Sequence, residues 1–196
     1  MRFSGLLLIL LSIGSCFSQQ PKQATYPVGQ IITPLGEMLF WLYDETPLHK
    51  ASFIKLASEK YWDTLTFNRV IKGFVIQGGC PDTPEGFKDS PYLIQPEFQD
   101  HIKHEYGALG AGRDENPEKL SAGCQLYIVH AKEGIPRLDG DYMIFGKMIS
   151  GFKVLDAIAH FQTDETDKPL KPINMDVNTT YMTARQLELY GYLVKN

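Results

Sequence analysis

The sequence predicts a mainly β domain built around one hydrophobic core, with helices in the minority. Three observations carry that expectation. The 17 glycines, 12 prolines and 12% aromatic content suit many strands joined by turns. The apolar residues fall in short runs bounded by Gly or Pro, as at residues 38–42 and 67–79, which is strand patterning. A chain of 196 residues with 43% apolar content can bury one sizeable core, so one folded domain is expected. A net charge of −4 without a basic cluster argues against nucleic acid as a partner. There is no internal repeat and no low-complexity tract.

The first residues stand outside that domain. Met1-Arg2 supplies positive charge, and residues 6–11 form an unbroken apolar run too short to span a bilayer, the pattern of a secretory signal. Two endings compete. Ile13-Gly14-Ser15-Cys16 resembles a bacterial lipobox, which would end the signal at residue 15 and make Cys16 a lipidated N-terminus. Cys16-Phe17-Ser18 instead offers small residues for cleavage before Gln19, giving a signal of residues 1–18. Either way the protein is expected outside the cytoplasm, free in the periplasm or lipid-anchored to the cell envelope. Residues 19–28, polar with Pro21 and Pro27, read as a linker. Export permits disulfides, and Cys80 and Cys124 are the two thiols left to form one.

Residues 31–42 read as two strands around Leu35-Gly36. The second of them, from Met38 to Leu42, is continuously apolar, which suits a strand buried on both faces. Thr46-Pro47 has the form of a helix start, with Thr as N-cap and Pro in the first turn. Leu48, Ala51, Ile54 and Lys55 then follow at helical spacing and predict an apolar stripe laid on the sheet. Next comes F-N-R-V-I-K-G-F-V-I-Q-G-G-C-P, residues 67–81. Phe67, Val70, Ile71, Phe74, Val75 and Ile76 suit a half-buried hairpin, with Lys72-Gly73 at its turn and Gly78-Gly79 and Pro81 at its end. Arg69 and Gln77 are large hydrogen-bonding side chains set among aliphatics. A two-residue loop pairs Arg69 with Ile76 and sends Gln77 to the opposite face, whereas a three-residue loop puts Arg69, Val75 and Gln77 on one face. Taken alone, the stretch reads more readily as a hairpin with a solvated Arg.

Residues 81–90, rich in Pro, Asp and Gly, read as a surface loop. Three motifs are weaker than they look. His101 and His104 lie three apart, but no third ligand is in register, so no metal site is expected. Residues 107–112, G-A-L-G-A-G, lack dinucleotide-loop spacing, and no strong helix follows them. Asp139 and Asp141 lack the further oxygens that calcium needs and read as a turn. Phe152, Val154, Leu155 and Ile158 predict a second helix, and residues 169–177 a closing strand. Thr183-Ala-Arg-Gln186 has capping-box form ahead of Leu187 and Tyr190, with Gly191 behind, so a short helix ends the chain.

Residues 67–79 resemble the signature of the cyclophilin peptidyl-prolyl isomerases, F-x-R-x-x-x-G-F-x-x-Q-G-G, through Phe67, Arg69, Gly73, Phe74, Gln77, Gly78 and Gly79. Tyr92, Glu97 and Phe98 are similar to the family's aromatic-x-x-x-x-E-F turn, residues 123–128 to its G-S-Q-F-F-I, and residues 138–146 to its L-D-G-x-x-x-x-F-G. The resemblance covers residues 29–177 and leaves 178–196 as an extension. It implies a closed eight-stranded antiparallel barrel capped by two α-helices, with the short C-terminal helix added. It implies a monomeric isomerase (EC 5.2.1.8 type) acting on proline-containing polypeptides, with no cofactor and no metal.

The resemblance favours the odd-length hairpin loop. It makes residues 107–112 an inner strand whose small residues, Gly112 among them, let the peptide approach the backbone. It assigns Arg69 to the proline nitrogen, Gln77 to Arg69, and Gln125 to the substrate backbone. Phe74, Val75, Tyr127 and Leu138 become the proline socket, with Tyr142 beside it, although plain core packing would also account for the first four. Several positions depart from the pattern. Asn68 replaces a common His, Cys124 a Ser and Leu126 a Phe. Arg137 stands where many relatives carry a Trp that helps bind cyclosporin, which predicts weak inhibition by that drug. Tyr142 stands where the pocket usually has His. The last two changes keep open a second reading, a low-turnover proline-peptide-binding chaperone or assembly module.

Overall fold

Side chains alternate along a strand, so each strand of this protein divides its residues between an inner and an outer face. The computed structural model describes residues 23–80 and 93–194. The signal segment, Cys16, the loop expected at residues 81–90 and Tyr92 lie outside the described residues. In chain order the strands are β1 (Thr25–Thr33), β2 (Gly36–Leu42), β3 (Thr66–Val70), β4 (Val75–Gly79), β5 (Leu93–Ile94) and β6 (Ala108–Ala111). They continue with β7 (Ser121–Ala122), β8 (Gln125–Val129), β9 (Met143–Ser150), β10 (Ile173–Asn174) and β11 (Asp176–Thr183). The helices are α1 (Pro47–Ser58), α2 (Phe152–Ala159) and α3 (Ala184–Leu189), with a 3-10 turn at Pro136–Leu138.

Nine strands form one antiparallel sheet in the order β10-β3-β4-β8-β6-β9-β2-β1-β11, and β5 pairs with β7 apart from it. The sheet curls around Ile31, Met38, Phe40, Phe67, Ile76, Leu109, Ile128 and Phe145, all nearly solvent-free. The expected closed eight-stranded barrel is not what forms. The sheet is open and nine-stranded, and the last stretch of it is divided at Met175, whose N–H continues the β10–β3 register to Leu65 O at 3.0 Å. The two halves of that stretch, β10 and β11, are consecutive and run end to end, so they cannot pair side by side. One pairs with β3 and the other with β1. The β1–β11 ladder runs from Thr25↔Thr183 to Ile32↔Asp176. It therefore draws residues 25–28, read as linker, into the sheet, and Val28 is fully buried.

The continuous apolar run in β2 is explained by burial on both faces. Met38, Phe40 and Leu42 enter the main core. Leu39 and Trp41 face outward into a second cluster with Val28, Ile149 and Leu187, the last supplied by α3. Thr183 and Gln186 close the capping box of α3 in both directions. Tyr192 then stacks on Trp41 with ring centroids 4.4 Å apart.

Helix α1 is where the sequence reading needs correction. Its buried side is His49, Ser52, Phe53, Leu56 and Ala57, whereas Leu48 is 52% exposed and Ala51 faces solvent. Thr46 occupies the N-cap position but makes no capping bond, and its hydroxyl donates to Tyr43 O at 3.3 Å. The cap comes from Glu97, whose carboxylate accepts from the backbone N–H groups of Leu48 and His49 at 2.9 and 3.0 Å. The same carboxylate bonds His49 Nδ1 at 2.7 Å, which is how a histidine sits on the inner face. Helix α2 matches expectation more closely, burying Leu155, Ile158 and Ala159.

Candidate active site

Strands β3 and β4 set the charged centre of the site. Val70 pairs with Ile76 and Arg69 with Gln77, so the hairpin has the three-residue loop, with Gly73 at φ +80°. Arg69 and Gln77 consequently share a face. A bulge at Asn68 lets Phe67 enter the core while Arg69 stays on the outer face; strict alternation would put both on one side. The Arg69 Nη1–H donates to Gln77 Oε1 at 3.1 Å, and Nε lies 3.9 Å from the Asp167 carboxylate. The Arg69 side chain is 34% exposed, so its charge is neither solvated freely nor buried away.

Arg69 looks onto a cleft of about 640 Å³ on the outer face of the sheet. Phe74, Val75, Tyr127 and Leu138 wall its apolar part, with Tyr142 beside them, and Gly112 and Gln125 line it too. All nine site residues expected from the sequence therefore meet in one place. The small residues of β6 serve a purpose the sequence reading did not foresee. A Cβ at Gly110 would lie 2.1 Å from the Tyr127 ring, and one at Gly112 would lie 1.8 Å from Gln125 Oε1. They make room for the cleft's own side chains. Gln125 is 1% exposed, and its Nε2 has no hydrogen-bond partner among the described residues. A buried amide with unspent donors is costly unless something arrives to accept from it.

The cleft floor is polar underneath. The Tyr127 hydroxyl lies 2.8 Å from His104 Nε2 and 3.1 Å from Met143 O. His104 Nδ1 in turn lies 2.8 Å from Asp139 Oδ1, which also accepts the His104 backbone N–H at 2.9 Å. Burial holds the His104 imidazole below its ordinary pKa despite the pull of Asp139. The neutral ring carries its proton toward Asp139, leaving Nε2 to accept from Tyr127. This is the fate of the His101/His104 pair: His104 turns inward, while His101 lies at the surface 3.6 Å from Glu45.

Beneath one corner, Cys80 and Cys124 are bonded across the β4–β8 ladder, Cα atoms 5.3 Å apart. The register explains it: Gly79 pairs with Gln125, so the next residues outward face each other. The bond thus sits beside Gln125.

The chain matches the family model described as cyclophilin type peptidyl-prolyl cis-trans isomerase/CLD over residues 28–179. It belongs to that family. Peptidyl-prolyl cis-trans isomerase CYP18-1 of Arabidopsis thaliana is 35% identical over 147 residues, 74% of this chain and 89% of that protein. Peptidyl-prolyl cis-trans isomerase B of Bacillus subtilis is 43% identical over 119 residues, 58% of this chain and 77% of that protein. A cyclophilin of Cryptosporidium parvum, solved in the presence of the dipeptide Ala-Pro, superposes with a TM-score of 0.69 at 28% identity, covering 78% of this chain and 98% of that one.

In this cyclophilin the cleft also contains residues that sequence reasoning left out. Arg113 directly follows Gly112 and turns back over the Tyr142 ring, 4.5 Å from its centroid. It binds Asp141 through Nε to the backbone O and Nη2 to Oδ1, both at 2.9 Å. Lys119 reaches the same carboxylate at 3.1 Å, and the two cations hold the Asp141 carboxyl below the ordinary range. Arg137, which the sequence reading did single out as a departure from the family pattern, lies over Phe74 at 5.1 Å. Asp167 could have been suspected only from the turn-forming string T-D-E-T-D-K-P, which says nothing of Arg69. For His104 no local signal existed, since its partners are 23 and 35 residues away.

Proposed function

We propose that this cyclophilin accelerates X-Pro rotation in exported polypeptides, acting as a monomer, with Arg69 stabilising the twisted amide. An X-Pro bond prefers trans by only about 0.5–1 kcal/mol yet interconverts over tens to hundreds of seconds. The barrier of about 18–20 kcal/mol is amide resonance. A rotating amide loses that resonance and gains lone-pair density on the proline nitrogen. A fixed cation beside the nitrogen favours the twisted state over either planar one, and no acid, base or nucleophile is required. An acceleration of ~10⁵ corresponds to about 7 kcal/mol of such preference.

The observation that carries this reading is Arg69 tied to Gln77 at the edge of an apolar socket. The tie removes orientations the guanidinium would otherwise sample, so less is lost when substrate arrives. Gln125, with its unspent amide donors, suits a substrate carbonyl. The Ala-Pro dipeptide present with the Cryptosporidium parvum relative supports proline-containing peptides as the substrate class. The signal-like residues 1–18 and the Cys80–Cys124 bond support export, because a reducing cytoplasm disfavours such a bond.

The test is cis-to-trans relaxation of a proline tetrapeptide with the full chain and its Arg69→Ala variant. Loss of about 100- to 1000-fold in kcat/KM with the fold retained is expected, the scale of removing one preorganised donor. A wild type that binds the peptide without accelerating it would make the cleft a proline-peptide-binding chaperone or assembly module instead. Membrane fractionation of the wild type and Cys16→Ser separates a lipid-anchored protein, released by the substitution, from a periplasmic one, unaffected by it.

A further inference from the structure

We propose that the cleft selects prolines that have an acidic side chain beside them, and that Arg137 reads the carboxylate. This rests on the isomerase reading of the cleft and adds its substrate preference. The charged lining is Arg69, Arg113, Arg137 and Asp141, three cations against one carboxylate in a chain whose net charge is −4. A local field of the opposite sign to the whole protein favours anionic ligands.

Two of the three arginines are already committed. Arg69 gives Nη1 to Gln77 and faces Asp167. Arg113 gives Nε and Nη2 to Asp141 and Nη1 to Asp114 O at 2.8 Å, and lays its plane on Tyr142. The one lining carboxylate, Asp141, is shared between Arg113 and Lys119. Arg137 is the exception. It is exposed, and among the described residues it has neither an ion pair nor a hydrogen-bond acceptor; its one recorded contact is the face of Phe74. Asp139, two residues on, turns its carboxylate down to His104 and Lys103.

Arg137 thus holds five unspent N–H donors on a fork suited to a carboxylate. The Phe74 ring supports one face of the guanidinium and leaves its edges free. Phe74 is also a wall of the proline socket, so a chain whose proline enters the socket passes Arg137 with a neighbouring residue. Glu or Asp at that neighbour gains a charge-assisted pair, Gln or Asn a weaker hydrogen bond, and Lys a repulsion.

The experiment uses proline tetrapeptides carrying Glu, Gln or Lys immediately before or after the proline, with the full chain and Arg137→Gln. At low salt, in one of the two positions, kcat/KM for Glu should exceed that for Gln by about threefold to fivefold, the upper range of an exposed ion pair, with Lys lowest. The spread should shrink at about 1 M salt, where screening is nearly complete. In Arg137→Gln the Glu-to-Gln ratio should fall to about one. Equal Glu and Gln rates in the wild type at both positions, or a ratio retained in Arg137→Gln, would overturn the proposal. If no peptide is accelerated, the isomerase reading fails by itself. The same peptides titrated by NMR then decide on Arg137: a Glu preference in Kd that the variant loses supports it, and equal Kd values overturn it.

Discussion

The outer face of the sheet carries two apolar clusters, and the chain treats them in opposite ways. One, over β4, β6, β8 and β9, contains Val75, Ala108, Tyr127, Val129, Leu138 and Ile144, and its Val75, Tyr127 and Leu138 side chains line the open cleft. The other, over β1, β2 and β9, contains Val28, Leu39, Trp41 and Ile149 and is covered by the chain's own C-terminal segment. Leu187 is fully buried there, Tyr192 stacks on Trp41, and Lys147 lies over the Tyr192 ring at 4.9 Å. Both clusters are apolar, aromatic and edged with cations, so those traits do not mark a site. The difference is unspent bonding capacity. The cleft keeps the Gln125 amide and the Arg137 guanidinium unpartnered among the described residues, whereas the covered cluster is satisfied by packing alone.

The largest effect that would test this contrast is on stability. Leu187→Ala removes a fully buried side chain from the covered cluster and should cost about 2–4 kcal/mol. Urea denaturation reads that loss as a lower midpoint. In conditions where the variant remains folded, kcat/KM on a proline tetrapeptide should equal that of the wild type. A matching fall in kcat/KM would mean the clusters are coupled, and Tyr43, packed against both, would be the place to look.

Tyr127→Phe comes next and acts on the floor of the open cluster. It keeps the ring that walls the socket and deletes the hydroxyl shared between His104 Nε2 and Met143 O. Leaving the buried His104 Nε2 without its donor should cost about 1–3 kcal/mol in stability. Turnover should change less than stability does, because the apolar wall is retained. A variant as stable as wild type would show that the polar floor contributes packing and nothing more.

How much of this was legible beforehand differs between the two clusters. The spacing of Arg69 and Gln77 was visible in the sequence, but the parity of the loop between them was not, and it decides whether they share a face. The resemblance to cyclophilins pointed to the right parity. For β2, the unbroken run from Met38 to Leu42 announced burial on two faces. What covered its outer face, residues some 150 positions later, was not visible. Helix α1 was misphased because a count of apolar residues passes over His49 and Ser52, which point inward. His49 can do so only because Glu97, distant in sequence, supplies both its partner and the helix cap. The closed barrel failed at the last strand, whose two pieces pair with different neighbours, β10 with β3 and β11 with β1. For β2, α1 and the last strand the missing information was a non-local hydrogen bond or packing partner.

The smallest expected effect is on pH dependence, and it sharpens the contrast because two of the three histidines involved lie under or beside the cleft. Burial lowers the pKa of His49, His104 and His130 from an ordinary 6.5, outweighing the attraction of Glu97, Asp139 and Asp156 respectively. The unfolded chain therefore takes up these protons before the folded one does. Their contribution to stability is complete above about 6.5 and is lost as the pH falls through that value toward the lowered folded pKa values. For His130 the consequence is local. Its Nδ1 accepts the Gly73 N–H at 2.9 Å, holding the turn that presents Phe74 and Val75, and its Nε2 lies 3.1 Å from Asp156. Asp156 is shared with Lys132 and Tyr106, and His160 stands edge-on to the His130 ring. A protonated His130 can no longer accept from Gly73. Exchange of the Gly73 amide, corrected for its intrinsic pH dependence, should lose protection as the pH is lowered from 7 toward 5. His130→Gln, which keeps an acceptor without titrating, should flatten that trend, and an unchanged trend in the variant would place the sensitivity elsewhere.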